Sequence, residues 1–275
     1  MLNCDARKVQ AWRHTPIILI SAFVHVIALA LVVLQPNEWP WALGTVAANH
    51  LVIGCGVLTP CSSLLGANLT RLPKSAIQRG EICLTFDDGP DPQITPRVLD
   101  LLDRHRAKAS FFCIGKKAAA HPELLSEIVR RGHSVENHSD THSYWFAFYG
   151  ISRLRGDIGV AQSALVTGAG HAPLFFRAPV GFRGPLLDRV LEERSLRYVS
   201  WTRRGFDGVS TNPEHILRRL TDGLAAGDIL LLHDRMNASG DAPILTVLPE
   251  LLDRAAALGL RAVSLPAALH DESGV

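Results

Sequence analysis

ICLTFDDGPDP, residues 82–92, is the stretch from which the rest of the chain can be read. Five strand-forming residues, Ile82 to Phe86, run directly into Asp87 and Asp88. Gly89, Pro90, Asp91 and Pro92 then supply turn chemistry. A turn accounts for Gly89 to Pro92. It does not account for two adjacent carboxylates at the end of an apolar strand, which repel each other and are costly to bury. A bound cation would resolve this, with one acid as ligand and the other ionised beside it as a base.

Outward from this stretch, strand-like and helix-like segments alternate. After 82–86, strands are expected at 108–115, 133–137, 174–179, 196–201, 228–234 and 260–265. Between them the helix signals recur: Thr95 as N-cap with Pro96 at the first helical position, Pro122–Arg131 closed by Gly132, about 153–165, 185–193, Asn212-Pro213 onward, and 243–258. Such alternation implies parallel βαβ units, as an open doubly wound sheet or an incomplete barrel. No glycine-rich phosphate loop follows the first strand, and there is no GxSxG elbow.

The first 70 residues have a different composition. No Lys, Arg, Asp or Glu occurs between Arg13 and Glu38, and PIILISAFVHVIALALVVL (16–34) is almost wholly apolar. About 20 such residues span a bilayer as a helix. A second uncharged run includes WALGTVAANHLVIGCGVL (41–58). The expectation is a membrane anchor over 1–70 and a globular domain over 71–275. A cleaved signal peptide is the alternative for the first run, but its apolar stretch is longer than a usual signal core. Arg7, Lys8 and Arg13 flank the first run; Arg71, Lys74 and Arg79 follow the second. The chain is expected in the cell inner membrane, and the Lys and Arg on these flanks orient the domain to the cytoplasm; otherwise the domain is periplasmic. His25 and His50 lie mid-segment and are read as tolerated polar residues of a helix pair.

Over the whole chain the formal charge is +2, with no basic run, so nucleic acid is not an expected partner. The five cysteines, at 4, 55, 61, 83 and 113, form no CxxC pair and read as free thiols, with Cys113 in the core.

The reactive residue types fall after strands. Asp87 and Asp88 end the first, His138 and His142 follow the third, Arg177 ends the fourth, Trp201 to Asp207 follow the fifth, and His233-Asp234 end the sixth. Sites in parallel barrels and sheets collect at the carboxyl ends of strands, so these clusters are expected on one rim. His138 and His142 are four apart, which on a helical turn puts both imidazoles on one face. With a carboxylate they make a His₂-carboxylate set that leaves metal positions open, as hydrolysis requires.

TFDDGP (85–90), HSDTH (138–142), RAPVG (177–181) and LLLHD (230–234), in that order, resemble the polysaccharide deacetylase family, the carbohydrate esterase family 4-like group related to the nodulation chitooligosaccharide deacetylase. The resemblance covers roughly 82–265. It implies a distorted (β/α)7 barrel that removes N-acyl groups from sugars with a divalent metal, zinc first. It also implies roles: Asp87 as general base, Asp88, His138 and His142 as metal ligands, Arg177 holding Asp87, and His233 as general acid. A backbone N–H near Phe182 is a candidate oxyanion donor. In many members, two acids three residues apart followed by Trp come after strand five. Arg204, Asp207 and Gly208 stand there in this chain, so the acid that would assist His233 is either missing or replaced by Asp207. Arg203 and Arg204 suit an anionic group, such as the phosphate of a lipid-linked sugar. The expected partners are a carbohydrate or lipid-linked sugar and membrane lipid. Oligomeric state is not fixed by the sequence. The competing function is a non-catalytic carbohydrate-binding or assembly protein on the same fold.

Overall fold

The computed structural model describes residues 15–237 and 239–270. Two apolar helices, α1 (Pro16–Leu34) and α2 (Trp39–Leu58), pack as a hairpin around a 3₁₀ turn at Pro36–Glu38. Both are long and apolar enough to cross a membrane. His25 and His50 face each other across the hairpin with ring centroids 5.1 Å apart, and each Nδ1 hydrogen-bonds a carbonyl one turn earlier in its own helix.

The domain then follows the expected alternation. Its elements are α3 (Lys74–Gln78), β1 (Glu81–Asp87), α4 (Thr95–Arg104), β2 (Ala109–Cys113), α5 (Gly115–Ala120), α6 (Pro122–Arg130), β3 (Ser134–Asn137), α7 (Ile151–Ala169), β4 (Phe175–Phe176) and α8 (Leu187–Glu193). They continue as β5 (Arg197–Tyr198), β6 (Arg203–Arg204), α9 (Pro213–Thr221), β7 (Ile229–His233), α10 (Ile244–Ala257), β8 (Arg261–Ala262) and α11 (Leu265–Ala268). The pairings are all parallel, in the order β5-β4-β3-β2-β1-β7-β6, with β8 beside the start of β1. This is the distorted β/α barrel of the sequence reading.

The distortion has a visible cause. Residues 197–204 pass from pairing with β4 to pairing with β7 through a bend at Thr202, so β5 and β6 are the two ends of one stretch. Leu69 bridges to Val199 in the middle of that run, and Leu72 N–H bonds the Gly227 carbonyl. The chain just after α2 is thus part of the barrel wall.

Three expectations need correction. The strand expected at 260–265 is only Arg261–Ala262, because Pro266 favours a helical start at Leu265. Among the described residues there are eight strands rather than seven, the addition being β6. Thr95 does not cap α4 but lies inside it; Asp91 Oδ1 accepts from the Gln93 and Ile94 N–H groups instead.

β1 sets the layers. Ile82, Leu84 and Phe86 point outward into the apolar layer under the helices. Cys83, Thr85 and Asp87, on the alternate face, point into the barrel, where Phe112, Trp201, Ile229 and Leu231 pack. The register sets Asp87 opposite Phe112 on one side and His233 on the other. The carboxyl ends of the central strands are therefore level, and the loops leaving them meet.

Candidate active site

Strand alternation turns Asp87 inward and should send Asp88 outward. It does not, because Asp88 is left-handed at φ +72° and swings back to the same rim. Asp and Asn tolerate that region better than most residues. Gly89 makes the turn possible: a Cβ there would lie 2.3 Å from Asp234 Oδ2. Asp234 is itself fully buried and accepts from Thr95 Oγ1 at 2.6 Å, which ties the loop after β1 to β7 and α4.

His138 and His142 do meet Asp88, but not from a helix. Ser139 (φ +64°) and His142 (φ +48°) are left-handed, and the segment is a looped turn. The turn is held by Asn137 Oδ1 accepting from the Ser139 N–H and by Asp157 accepting from the Asp140 N–H and Thr141 Oγ1. The i,i+4 spacing thus brings the two rings together by a different route from the one expected. Their centroids are 5.0 Å apart.

The three donor atoms fit a cation. Asp88 Oδ1, His138 Nε2 and His142 Nε2 lie within 4.8 Å of one another. Nε2 of His142 is 3.0 Å and that of His138 is 3.3 Å from Asp88 Oδ1, yet this buried oxygen has no hydrogen-bond partner among the described residues. His138 shows why: its Nδ1 is 2.8 Å from the Arg177 carbonyl, which only a protonated Nδ1 can satisfy. In the neutral ring, Nε2 then carries a lone pair aimed at Asp88 Oδ1, the ligand tautomer fixed by a second partner. One carboxylate and two imidazoles suit zinc among divalent cations.

Asp87 is held separately. Arg177, with no exposed surface, donates from Nη1 to Asp87 Oδ1 at 2.7 Å and to Thr85 Oγ1 at 2.8 Å. Its remaining donors reach the Val199 and Ser200 carbonyls, and its guanidinium lies over the Phe112 ring at 4.2 Å. Asp87 Oδ2 is left facing the rim, 3.8 Å from His138 Nε2.

On the opposite wall, His233 Nδ1 is 2.9 Å from Asp207 Oδ1, and its backbone N–H donates to Asp207 Oδ2 at 2.7 Å. Asp234, one residue on, takes no part in holding this ring. Burial alone would push the imidazole down, but the Asp207 carboxylate outweighs it, with help from Asp88 and Asp87, and raises His233 to about 9. The ring is therefore an imidazolium at neutral pH. Burial likewise opposes the charged form of Asp88, but the two histidines in their protonated form overcome it and hold its carboxyl well below the usual range.

Asp87, Asp88, His138, His142 and His233 line a cleft of about 140 Å³ together with Trp201 and Leu231. Arg203 and Arg204 part ways. Arg203 is consumed by Asp228 and by the Asp222 and Gly223 carbonyls, so it is structural. Arg204 lines the cleft with its guanidinium near the Trp201 and Phe206 rings, and its buried Nε has no hydrogen-bond partner among the described residues. The Phe182 N–H is already bonded to the Pro179 carbonyl, which removes it as an oxyanion donor. Arg235 was missed by the sequence reading; its Nε donates to Asp88 Oδ2 at 2.7 Å. Its place directly after His233-Asp234 was the available signal. Cys113 is buried, as expected of a core thiol; Cys4 lies outside the described residues.

A parallel β/α barrel carrying this arrangement on its carboxyl rim defines a hydrolase of amide carbon–nitrogen bonds outside peptides. A family model described as Polysaccharide deacetylase matches residues 74–199. The peptidoglycan-N-acetylglucosamine deacetylase of Bacillus cereus is 34% identical over 174 residues, 62% of this chain and 81% of that protein. The chitooligosaccharide deacetylase of Azorhizobium caulinodans is 34% identical over 158 residues, 57% of this chain and 74% of that protein. The crystal structure of the Bc1960 peptidoglycan N-acetylglucosamine deacetylase superposes with a TM-score of 0.68 at 28% identity, covering 74% of this chain and 92% of that one. The chain belongs to the polysaccharide deacetylase family.

Proposed function

We propose that this protein is a membrane-anchored, metal-dependent N-deacylase acting on a carbohydrate. The carrying observation is the convergence of Asp88 Oδ1, His138 Nε2 and His142 Nε2 within 4.8 Å of one another, on one rim with the Arg177-bound Asp87 and the Asp207-bound His233. Asp88, His138 and His142 would hold a divalent cation, zinc by donor type. When bound there, such a cation polarises an acyl carbonyl and acidifies water from a pKa of ~15.7 to about 7.

The protein's own groups do the rest. Asp87, its Oδ1 occupied by Arg177, offers Oδ2 as base to the attacking water. His233, protonated through Asp207, hands its proton to the departing sugar amine. Positioned proton transfer of this kind contributes about 10²–10⁴-fold. Arg177 orients Asp87, and Asp207 orients His233; neither needs to touch the substrate.

Residues 1–70 form the anchor and 71–275 the catalytic domain in this reading. Flanking Lys and Arg favour a cytoplasmic domain at the inner membrane; an active periplasmic reporter fused to the C-terminus would overturn that orientation. Related proteins act on peptidoglycan N-acetylglucosamine or chitooligosaccharides by name. For this chain, an N-acyl sugar carrying an anionic group is favoured, because Arg204 faces the cleft without an ion pair among the described residues.

The test compares Asp87→Asn and Asp88→Asn in the full chain. Asp87→Asn keeps bound metal, by elemental analysis, and abolishes release of acetate or formate from N-acyl sugars. Asp88→Asn loses the metal as well. Activity surviving Asp87→Asn refutes the base assignment; metal surviving Asp88→Asn refutes the site.

A further inference from the structure

The loop after His142 presents an unusual surface. Tyr144, Trp145 and Phe148 are 74%, 70% and 74% exposed. They do not hang loosely. Phe146, Ala147 and Tyr149, interleaved with them, are buried, Phe146 stacking on Phe176 at 5.7 Å. The inward residues pin a short 3₁₀ turn and hold the other three in solvent, with the Trp145 and Phe148 rings 6.0 Å apart and Tyr144 beside His142. Single exposed apolar residues are ordinary, whereas a contiguous aromatic patch marks an interaction surface.

Its position says what covers it. Ala147 packs against Val57 and Leu65, with Ile17, Ile53 and Phe182 completing the cluster. Val57 is at the end of α2 and Ile17 at the start of α1, so the patch stands at the foot of the apolar hairpin. Helices of 19 and 20 residues, at ~1.5 Å per residue, match a hydrocarbon core of about 30 Å. Both hairpin ends then fall at membrane interfaces. Trp and Tyr favour those interfaces. The far end has Trp39 and Trp41, both exposed. The near ends of the two helices, 16–20 and 52–58, have no Trp or Tyr. The loop supplies exposed aromatic residues at this end, where Trp12 also precedes α1 in the sequence.

The same foot touches the cleft. Cys61 Sγ donates to the Trp201 carbonyl, and Pro60 lies against Gly181, both in the cleft wall. Tyr144 lines the cleft, as do the exposed Phe206 and Val209. We propose that residues 144–148 seat in the headgroup region of the bilayer and set the mouth of the catalytic cleft against the membrane surface. The substrate is then a sugar presented there, on a lipid or lying along the membrane, with Arg204 placed for its anionic group. This rests on the anchor reading above.

The test uses the full chain in vesicles of phosphatidylethanolamine and phosphatidylglycerol, with and without acyl-chain-brominated lipid. The emission of Trp145 is the difference between the wild type and Trp145→Phe. That of the far belt is the difference between the wild type and Trp39→Phe/Trp41→Phe. The expected result is loss of the Trp145 emission with brominated lipid, to an extent similar to that of Trp39 and Trp41. If brominated lipid removes only the Trp39 and Trp41 emission, the hairpin spans and the docking proposal fails. Aqueous iodide then separates a loop in water, which is quenched, from one covered by another protein surface, which is not. If neither emission responds to brominated lipid, both the proposal and the anchor reading fall.

Discussion

Replacing Asp207 by Asn isolates the electrostatic tuning of the general acid. In the wild type, Asp207 overcomes burial and sets His233 at about 9. Without that charge the ring falls to its ordinary value near 6.5 or lower. At pH 7.5 a group titrating at about 9 is ~97% protonated and one at 6.5 only about 10%. Loss of the proton alone thus costs about tenfold at that pH. The amide can still accept from Nδ1–H, but it cannot serve both Nδ1–H and the His233 backbone N–H as the two carboxylate oxygens do. Misorientation adds to the loss, up to the ~10²–10⁴-fold that positioned proton transfer contributes. A cation on Asp88 lowers both absolute values by cancelling part of the Asp88 and Asp87 contribution, but it leaves the difference between the two proteins. The assay is the pH profile of kcat/KM for deacylation, from about pH 5 to 10. The general acid must be protonated, so it governs the alkaline limb. In Asp207→Asn that limb moves to lower pH, and the deficit shrinks as the pH is lowered toward 6. An alkaline limb that stays put, or a deficit equal at every pH, would refute the assignment of His233 as the acid tuned by Asp207.

Gly89→Ala places a Cβ 2.3 Å from Asp234 Oδ2 in a fully packed setting, so the loop bearing Asp88 has to move. The expected cost is about 1–3 kcal/mol, read as a fall in Tm, with weakened metal binding in elemental analysis. Arg204→Leu keeps the packing against Trp201 and Phe206 but removes the charge. It raises KM about tenfold for an anionic N-acyl sugar, in line with a charge-assisted hydrogen bond, and leaves KM for its neutral counterpart unchanged.

The parallel β/α architecture was legible in the sequence, and the six residues expected at the site meet on one rim because each lies at or just after a recognisable strand. What escaped it was determined by contacts distant in sequence. The two-residue β6 exists only through pairing with Leu230 and Leu231, and Arg203 and Arg204 have no strand signal of their own. Arg203 looked available for an anion, but its partner Asp228 is 25 residues away in sequence. The helical reading of His138 and His142 failed on backbone conformation. Left-handed residues at 139 and 142 are invisible to spacing, and only Gly or Asn would have flagged them. Of the seven non-glycine residues with positive φ among those described, Asp88, Ser139, His142, Val180 and Phe206 fall in or beside the cleft. Strain collects where side chains have to converge from separate loops.

The two adjacent acids make sense as a division of labour enforced by their neighbours. Asp87 faces into the barrel by strand alternation and meets Arg177, which among the described residues has no other acid to balance its charge and is fully buried. Removing the acceptor would strand a buried cation, at a cost of about 3–5 kcal/mol. Arg177 thus holds Asp87 in place for stability as much as for chemistry, which makes Asp87→Asn, retaining an acceptor oxygen, a cleaner probe than Asp87→Ala. Asp88 faces the other way until its left-handed φ returns it, and there Arg235 takes Oδ2 and leaves Oδ1 to the two imidazoles. Each carboxylate therefore has one oxygen neutralised by an arginine and one left for the reaction, and repulsion between the pair is relieved before any cation binds. If Asp88 depended on the cation alone for its charge balance, Arg235→Met would leave metal affinity unchanged or raise it. If Arg235 instead orients Oδ1, as the 2.7 Å bond implies, the same substitution lowers affinity, measured by competition with a chelator at fixed pH.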